Sequence, residues 1–523
     1  MSRSDRSVRG RIFVGASTVL ATLIGLMAIA PSAATPGDLD AVLQAMETKA
    51  PDLMKRDNVP GMAYAVVQGD QVVYARGFGY RDQDASSGLV DEHTLFEIGS
   101  TTKAFNAAAL GTVVDEGKIA WTDRVRDHLP DFKMNDPWVT KEFLVEDLLG
   151  QRSGMPAYAL DNMPGIGFNR ADVRRATRLV EPVTSFRAKF GYQNCMHLWA
   201  ADLIEKKTSL VWEEVVRRRI LEPLGMSEST FDFDVYDANP NHARGHIVQG
   251  DKSLWTIPPD WPYRKWIGIY APAGGLMSSV GDMAKWVALQ IGNGTFGGRV
   301  LLKPETMAAI RAPRIYLGKD DIGVSSYAMG WILASSPYTP VYWHNGATPG
   351  MHSIVFIYPE GKLGLVVLTN LPDNKVPEDL ARMLLWGYFC GAPAGAVGPC
   401  EAGIAGAADA LPGRYTDVCK AASAPAVAAA IPIKKLLGTY ENPAYGKVVV
   451  KREGGGLTMS LGPDKVLGTL TSKGGDTYTW AWPDWPGNTA TVTFKADASG
   501  QVSKLTIKEF GDVKGGDFRR VSP

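Results

Sequence analysis

From residue 392 to residue 431 the chain becomes rich in Ala, Gly and Pro. Such a stretch reads as a linker with at most a short helix. It divides the 523 residues into a long unit and a short one. The length itself asks for two or three domains, because single cores stop growing at roughly 250–300 residues. Residues 35–391 carry both helical and strand-like patterns. In residues 432–523, short strand candidates at 448–450, 457–459, 478–480, 490–494 and 505–507 alternate with glycine turns. That is the pattern of a small antiparallel barrel or sandwich.

The first 34 residues read as an export signal. Arg3, Arg6, Arg9 and Arg11 form a basic head, residues 12–30 are almost uncharged and apolar, and Ser32, Ala33 and Ala34 supply small residues for cleavage after Ala34. No later stretch is apolar enough to span a bilayer. The expectation is a periplasmic or secreted protein with no stable membrane insertion once the signal is removed. Lys+Arg and Asp+Glu both total 55, so the formal net charge is zero and nothing calls for a nucleic-acid partner. The four cysteines, Cys195, Cys390, Cys400 and Cys419, fit no zinc spacing. Export permits a disulfide, either Cys390 with Cys400 or Cys400 with Cys419. His242 and His246 stand four apart, but Gly245 between them argues against a helical metal pair. No metal or cofactor is expected.

Along the long unit, a helical pattern covers residues 38–52. Two strands at 61–67 and 71–77 follow, joined by a turn at Gly69 and Asp70. A strand-like apolar run ends at Gly99, and a helix begins with Ala104, Ala107, Ala108 and Leu110. Ser100 therefore stands at the first turn of a helix, with Lys103 one turn on and on the same face. Further helices are expected at 143–149, from about 195, at 211–221, 282–291 and 380–388, and strands at 330–332, 341–346, 353–358 and 363–369. Taken alone, Ser-x-x-Lys is an ordinary helix start with a capping serine and a solvated lysine. A buried lysine held neutral is another matter, since it can take the proton of a serine hydroxyl.

The company this tetrad keeps favours the second reading. Ser100-x-x-Lys103, Tyr192-x-Asn194 and His344-x-Gly346 follow in that order. Together they resemble the three motifs of penicillin-binding-protein-like serine hydrolases, nearest to the class C β-lactamase branch with its tyrosine in the second motif. Flanking residues resemble it too: Phe96 to Gly99, Asp147 to Leu149 with Ser153 to Pro156, Glu222 to Met226, and Gly274 to Ser279. The resemblance spans about residues 39–390. The tail, with Gly438-Thr439-Tyr440-Glu441-Asn442-Pro443, resembles the lipocalin-like domain attached to some serine peptidases of that family.

The resemblance implies an α/β (α+β) fold with an antiparallel sheet flanked by helices, a helical domain beside it, and a C-terminal all-β barrel. It implies Ser100 as nucleophile, with Lys103 and Tyr192 sharing the general-base role. A nearby ammonium would lower the tyrosine pKa. The backbone N–H groups of Ser100 and Ala347 would form the oxyanion hole. Asn194 would bond Lys103 or a substrate amide, and Gly346 would leave room for substrate at the strand edge. His344 stands where many relatives carry lysine. A neutral histidine there points away from β-lactams and toward peptidase, amidase and esterase relatives. The expected activity is that of an exported serine peptidase or amidase, working through an acyl-enzyme on small peptides, those with D-residues included. A carboxylesterase or a β-lactamase would use the same site, and a non-catalytic peptide- or peptidoglycan-binding protein would keep only the fold.

Overall fold

The computed structural model describes residues 37–319, 323–336, 339–390 and 431–522. The expected export signal, nearly all of the expected linker, and Cys400 and Cys419 of the expected disulfide lie outside the described residues. Cys195 is a buried free thiol.

An eight-stranded antiparallel sheet organises the long unit. Its order is Gln71–Gly79, Gly61–Gln68, Leu363–Thr369, His352–Tyr358, Pro340–Ala347, Ile332–Ser335, Val324–Tyr327 and Ile315–Lys319. The central strands are apolar on both faces because both are covered. Met62, Tyr64, Val66, Leu365 and Val367 face one core, under helices Leu39–Asp57 and Val376–Cys390. Ala63, Ala65, Val67, Val366 and Leu368 face the other, under helix Val280–Ile291. Period-two alternation thus splits one strand between two cores.

Helix Leu39–Asp57 runs past the expected end near Asp52, straight through Pro51. Leu53 and Met54 continue the buried stripe of Val42, Leu43, Met46 and Ala50, and Asn58 in the left-handed region closes the helix. The sequence did not announce the edge strand Ile315–Lys319 or its inner neighbour Val324–Tyr327. Only Ser325 and Tyr327 in them are buried, and they carry Gly318, Ser325 and Ser326, so their alternation is weak.

The helical region packs around Thr102–Asp115, which is buried on every side. Small residues make that possible. A Cβ on Gly111 would come within 2.8 Å of Thr306 Cγ2. The basic helix expected at 211–221 is broken by a π turn, Arg217–Leu221, between Trp212–Val216 and Glu222–Leu224. Among the described residues, no helix is long and apolar enough to cross a membrane.

The tail closes into an eight-stranded barrel in which Asp517–Ser522 pairs back onto Gly438–Asn442. Closure removes the sheet edges. Three strands escaped the sequence reading: Gly438–Asn442, Val466–Gly474 and Asp517–Ser522. In Val466–Gly474 only Gly468 and Leu470 are buried, and Asp517–Ser522 carries two arginines, so neither shows a clear apolar period. Tyr440, Met459, Trp480, Val492, Leu505 and Phe518 are fully buried in the barrel core.

Candidate active site

The strand leading to Ser100 is short and clamped. Phe96–Glu97 pairs with Met277–Ser278, and Ile98 N–H donates to the Leu276 carbonyl at 3.0 Å. The chain then turns at Gly99, where φ is +51°. A 3-10 turn, Gly99–Thr101, carries Ser100 into helix Thr102–Asp115. Gly99 is required twice, since its φ favours glycine and a Cβ would stand 2.7 Å from Ala347 N.

Gly346 also packs against this turn. A Cβ there would overlap the Ile98 carbonyl oxygen and lie 2.8 Å from Ser100 N. This corrects the sequence expectation: the space kept by Gly346 is filled by the turn that bears Ser100, not left for substrate. Gly346→Ala is therefore expected to displace Ser100 and slow labelling of its hydroxyl by a fluorophosphonate about a hundredfold, the scale of a misplacement near 1 Å. Gly268→Ala, which has open space around it, should label like wild type. Stopped-flow labelling rates compare the two.

Lys103 is fully buried. Its Nζ lies 2.9 Å from Ser100 Oγ, 2.7 Å from Asn194 Oδ1 and 2.8 Å from the Ala273 carbonyl. The amide of Asn194 cannot be turned round, because its Nδ2 donates to the Asp161 carboxylate at 2.9 Å. Burial pushes the Lys103 pKa down to about 7, although the Asp161 charge pulls the other way. At and above that pH the amine has two N–H groups, and two carbonyl oxygens accept them. Its lone pair is left for the Ser100 hydroxyl.

Tyr192 is buried beside this pair. Lys103 Nζ sits 4.6 Å from its ring centroid. Its pKa moves up, not down as expected from the sequence. Burial raises it most, Tyr327 adds to this, and the interaction with the Ser100 hydroxyl only partly opposes them. Lys103 is not among the groups that hold the phenol's pKa down.

His344 is buried, and its pKa is pushed down to about 3, first by burial and then by the Lys103 charge. Its Nδ1 lies 2.5 Å from the Asn345 carbonyl, which accepts only, so Nδ1–H donates. Its Nε2 then accepts from the Tyr327 hydroxyl at 2.9 Å. Both ring nitrogens are engaged and the position carries no charge at neutral pH. Tyr192, Tyr327 and Ile332, with the part-buried Tyr158 and Phe190, form an apolar wall. Ala347 is exposed and Ser100 half-buried, so the site opens to solvent there.

The turn at 151–156 holds Tyr192 to Asn194 in place. Gln193 N–H donates to Gln151 Oε1 at 2.5 Å, and Ser153 Oγ donates to Gln193 Oε1 at 2.9 Å. Beneath the turn, the fully buried Asp147 carboxylate accepts from Arg152, Arg187 and Leu144 N–H. Elsewhere, His246 lies on a strand and bonds the Asn370 carbonyl and Asp82, while His242 bonds the Asn239 carbonyl.

Two residues at the site went unread in the sequence. Tyr327 lies on the unannounced strand Val324–Tyr327, next to the sheet edge, and the hairpin at Gly330, with φ of +75°, was its only local signal. Asp161 lies in an irregular loop with no pattern to mark it.

The profile of the family described as Beta-lactamase matches residues 46–386. That of a domain of unknown function (DUF3471) matches residues 422–518. "Unguisins hydrolase ungD'" of Aspergillus campestris (strain IBT 28561) is 28% identical over 328 residues, covering 61% of this chain and 59% of that one. "Protein flp" of Staphylococcus aureus (strain COL) is 24% identical over 327 residues, covering 62% of each. The chain thus matches about three fifths of the length of these curated relatives. The octameric penicillin-binding protein homologue from Pyrococcus abyssi shares the fold, with a TM-score of 0.59 at 23% identity over 91% of this chain and 99% of that one.

Proposed function

Since the chain belongs to the beta-lactamase family, we propose that it is a serine hydrolase that acylates Ser100, acting as a peptidase or amidase on small peptides. One observation carries this: the buried Lys103 Nζ lies 2.9 Å from Ser100 Oγ with the Asn194 Oδ1 and Ala273 carbonyl acceptors at 2.7 and 2.8 Å, so that the neutral amine, with its two hydrogens on those oxygens, has its lone pair left for the Ser100 hydroxyl. Lys103 removes that proton as Ser100 attacks the acyl carbon. The Ser100 and Ala347 N–H groups receive the oxyanion. Tyr192 enters as a neutral phenol hydrogen-bonded to Ser100. Lys103 passes the proton it took from Ser100 to the leaving amine as the acyl–nitrogen bond breaks, which restores the neutral amine. Water then repeats the sequence to free the enzyme.

The uncharged, doubly bonded His344 supports peptides over carboxylate-bearing β-lactams, because no cation waits there for a carboxylate. The apolar wall of Tyr158, Phe190 and Tyr192 supports substrates with apolar side chains. The name of the fungal relative, a hydrolase, agrees with the reaction class. The basic and then apolar N-terminal stretch supports work in the periplasm or outside the cell.

Labelling by a fluorophosphonate tests the chemistry. The native protein should take one label, on Ser100, at a rate that rises with pH through about 7 as Lys103 loses its proton. If native protein stays unlabelled beside a reactive control hydrolase, catalysis is out and the binding reading takes over. Cleavage of D- or L-amino-acid p-nitroanilides supports the peptidase choice. Turnover of p-nitrophenyl esters alone makes the protein an esterase, and turnover of a β-lactam alone makes it a β-lactamase.

A further inference from the structure

The barrel reaches the catalytic site from behind. Residues 158–162 form a loop with the catalytic residues on one side and the barrel on the other. On the inner side, Tyr158 N–H donates to the Tyr192 carbonyl at 2.6 Å. The Tyr270 hydroxyl donates to the Leu160 carbonyl at 3.1 Å, and Trp266 Nε1 to the Asp161 carbonyl at 3.0 Å. The Asp161 carboxylate holds Asn194, which accepts from Lys103.

On the outer side the barrel makes the contacts. Leu160 N–H donates to Asp512 Oδ2 at 2.5 Å, and Asn162 Nδ2 donates to the Glu509 carbonyl at 2.6 Å. Asp512 is itself held. Its Oδ1 accepts from the Tyr445 hydroxyl at 2.5 Å, and the buried Tyr445 ring meets Phe510 edge-on at 4.6 Å between centroids. The loop needs such a hold. Tyr158 and Leu160 both lie in the left-handed region, at φ of +60° and +68°. Side chains larger than glycine rarely stay there unless their surroundings fix them.

We infer that Asp512 of the barrel is a positioning residue for the Lys103–Ser100 pair, acting through the Leu160–Asp161 backbone and Asn194. The barrel is then part of the catalytic unit and not a passive appendage. This rests on the hydrolase reading above, so wild type is first shown to take the label on Ser100. A wild type that fails that step overturns the hydrolase reading itself.

With that in hand, Asp512→Ala, Asp512→Asn, Tyr445→Phe and Lys514→Ala are compared in the full chain. Lys514 bridges to Glu181 across the same two domains at 2.7 Å without touching the loop. Asp512→Ala is expected to lower kcat about tenfold to a hundredfold with KM little changed, the scale of a small misplacement of catalytic groups. Asp512→Asn keeps an acceptor for Leu160 N–H and should recover most of the rate. Tyr445→Phe, which frees Asp512 but keeps the packed ring, should fall in between, and it carries the test if Asp512→Ala does not fold. Lys514→Ala should match wild type. The inference is overturned if the Asp512 and Tyr445 variants keep the wild-type kcat, if Lys514→Ala falls as far as they do, or if Asp512→Asn is no better than Asp512→Ala.

Discussion

Ser100→Ala is expected to abolish acylation and to cut turnover on the order of a millionfold, leaving only what the oxyanion donors and binding supply. The loss should be this large because the arrangement acts as a unit. Lys103 moves a proton that only Ser100 offers, so without the hydroxyl it has nothing to activate in the first step. The change should cost little stability. The Ser100 side chain is half-buried, and Lys103 keeps both carbonyl partners at Asn194 and Ala273. The melting temperature should therefore stay close to wild type. Substrate should still bind, which turns the variant into a trap for identifying it. Intact-mass analysis after fluorophosphonate treatment, beside steady-state turnover, reads the result. Labelling that persists on another residue, or turnover above about one per cent of wild type in a preparation free of other hydrolases, would sink Ser100 as the nucleophile.

Much of the central frame could be read from the chain. Strands 61–68 and 363–369 are continuous apolar runs because they are covered on both faces, and that leaves a strong signal in one dimension. The turn at Gly99 was legible as the break between an apolar run and a helical period. Ile315–Lys319 and Val324–Tyr327, the last two strands of the sheet, were not, because strands with one wet side need few apolar residues. Lys103, Tyr192 and Asn194 stood out through motif order, and a buried, neutral lysine was among the readings, yet the Tyr192 electrostatics were not legible. The sequence suggested an ammonium stabilising a phenolate. Burial depresses the one group and raises the other. That follows from desolvation, which depends on the whole surrounding shell and leaves no trace in local spacing. Asp161 and Asp512 were invisible for a related reason. Each acts through one backbone or amide contact formed only when segments far apart in sequence meet.

The same shell sets what replacing the lysine should do. Lys103→Met keeps the length and apolar stem of the side chain but removes the base, and it should lower the acylation rate about a thousandfold to ten-thousandfold. Lys103→Arg should be as inactive, because a guanidinium stays charged at any working pH and cannot accept the Ser100 proton. The methionine variant leaves Asn194 Oδ1 and the Ala273 carbonyl without their donor, at about 1–3 kcal/mol each when buried. Against that, it relieves the burial of an amine. The pH dependence of stability separates the two terms. In wild type the folded state sheds the Lys103 proton near pH 7, whereas an unfolded lysine keeps it to about 10.4. Between those limits the unfolded chain binds more protons, so stability rises with pH, and below about 7 the cost of the buried charge is felt in full. Lys103→Met should remove that rise while leaving the other titrations in place. Urea denaturation at pH 6, 8 and 9.5 compares the slopes. A Lys103→Arg enzyme that acylates at the wild-type rate, or identical pH slopes in wild type and Lys103→Met, would show that the amine is neither the base nor neutral in the folded protein.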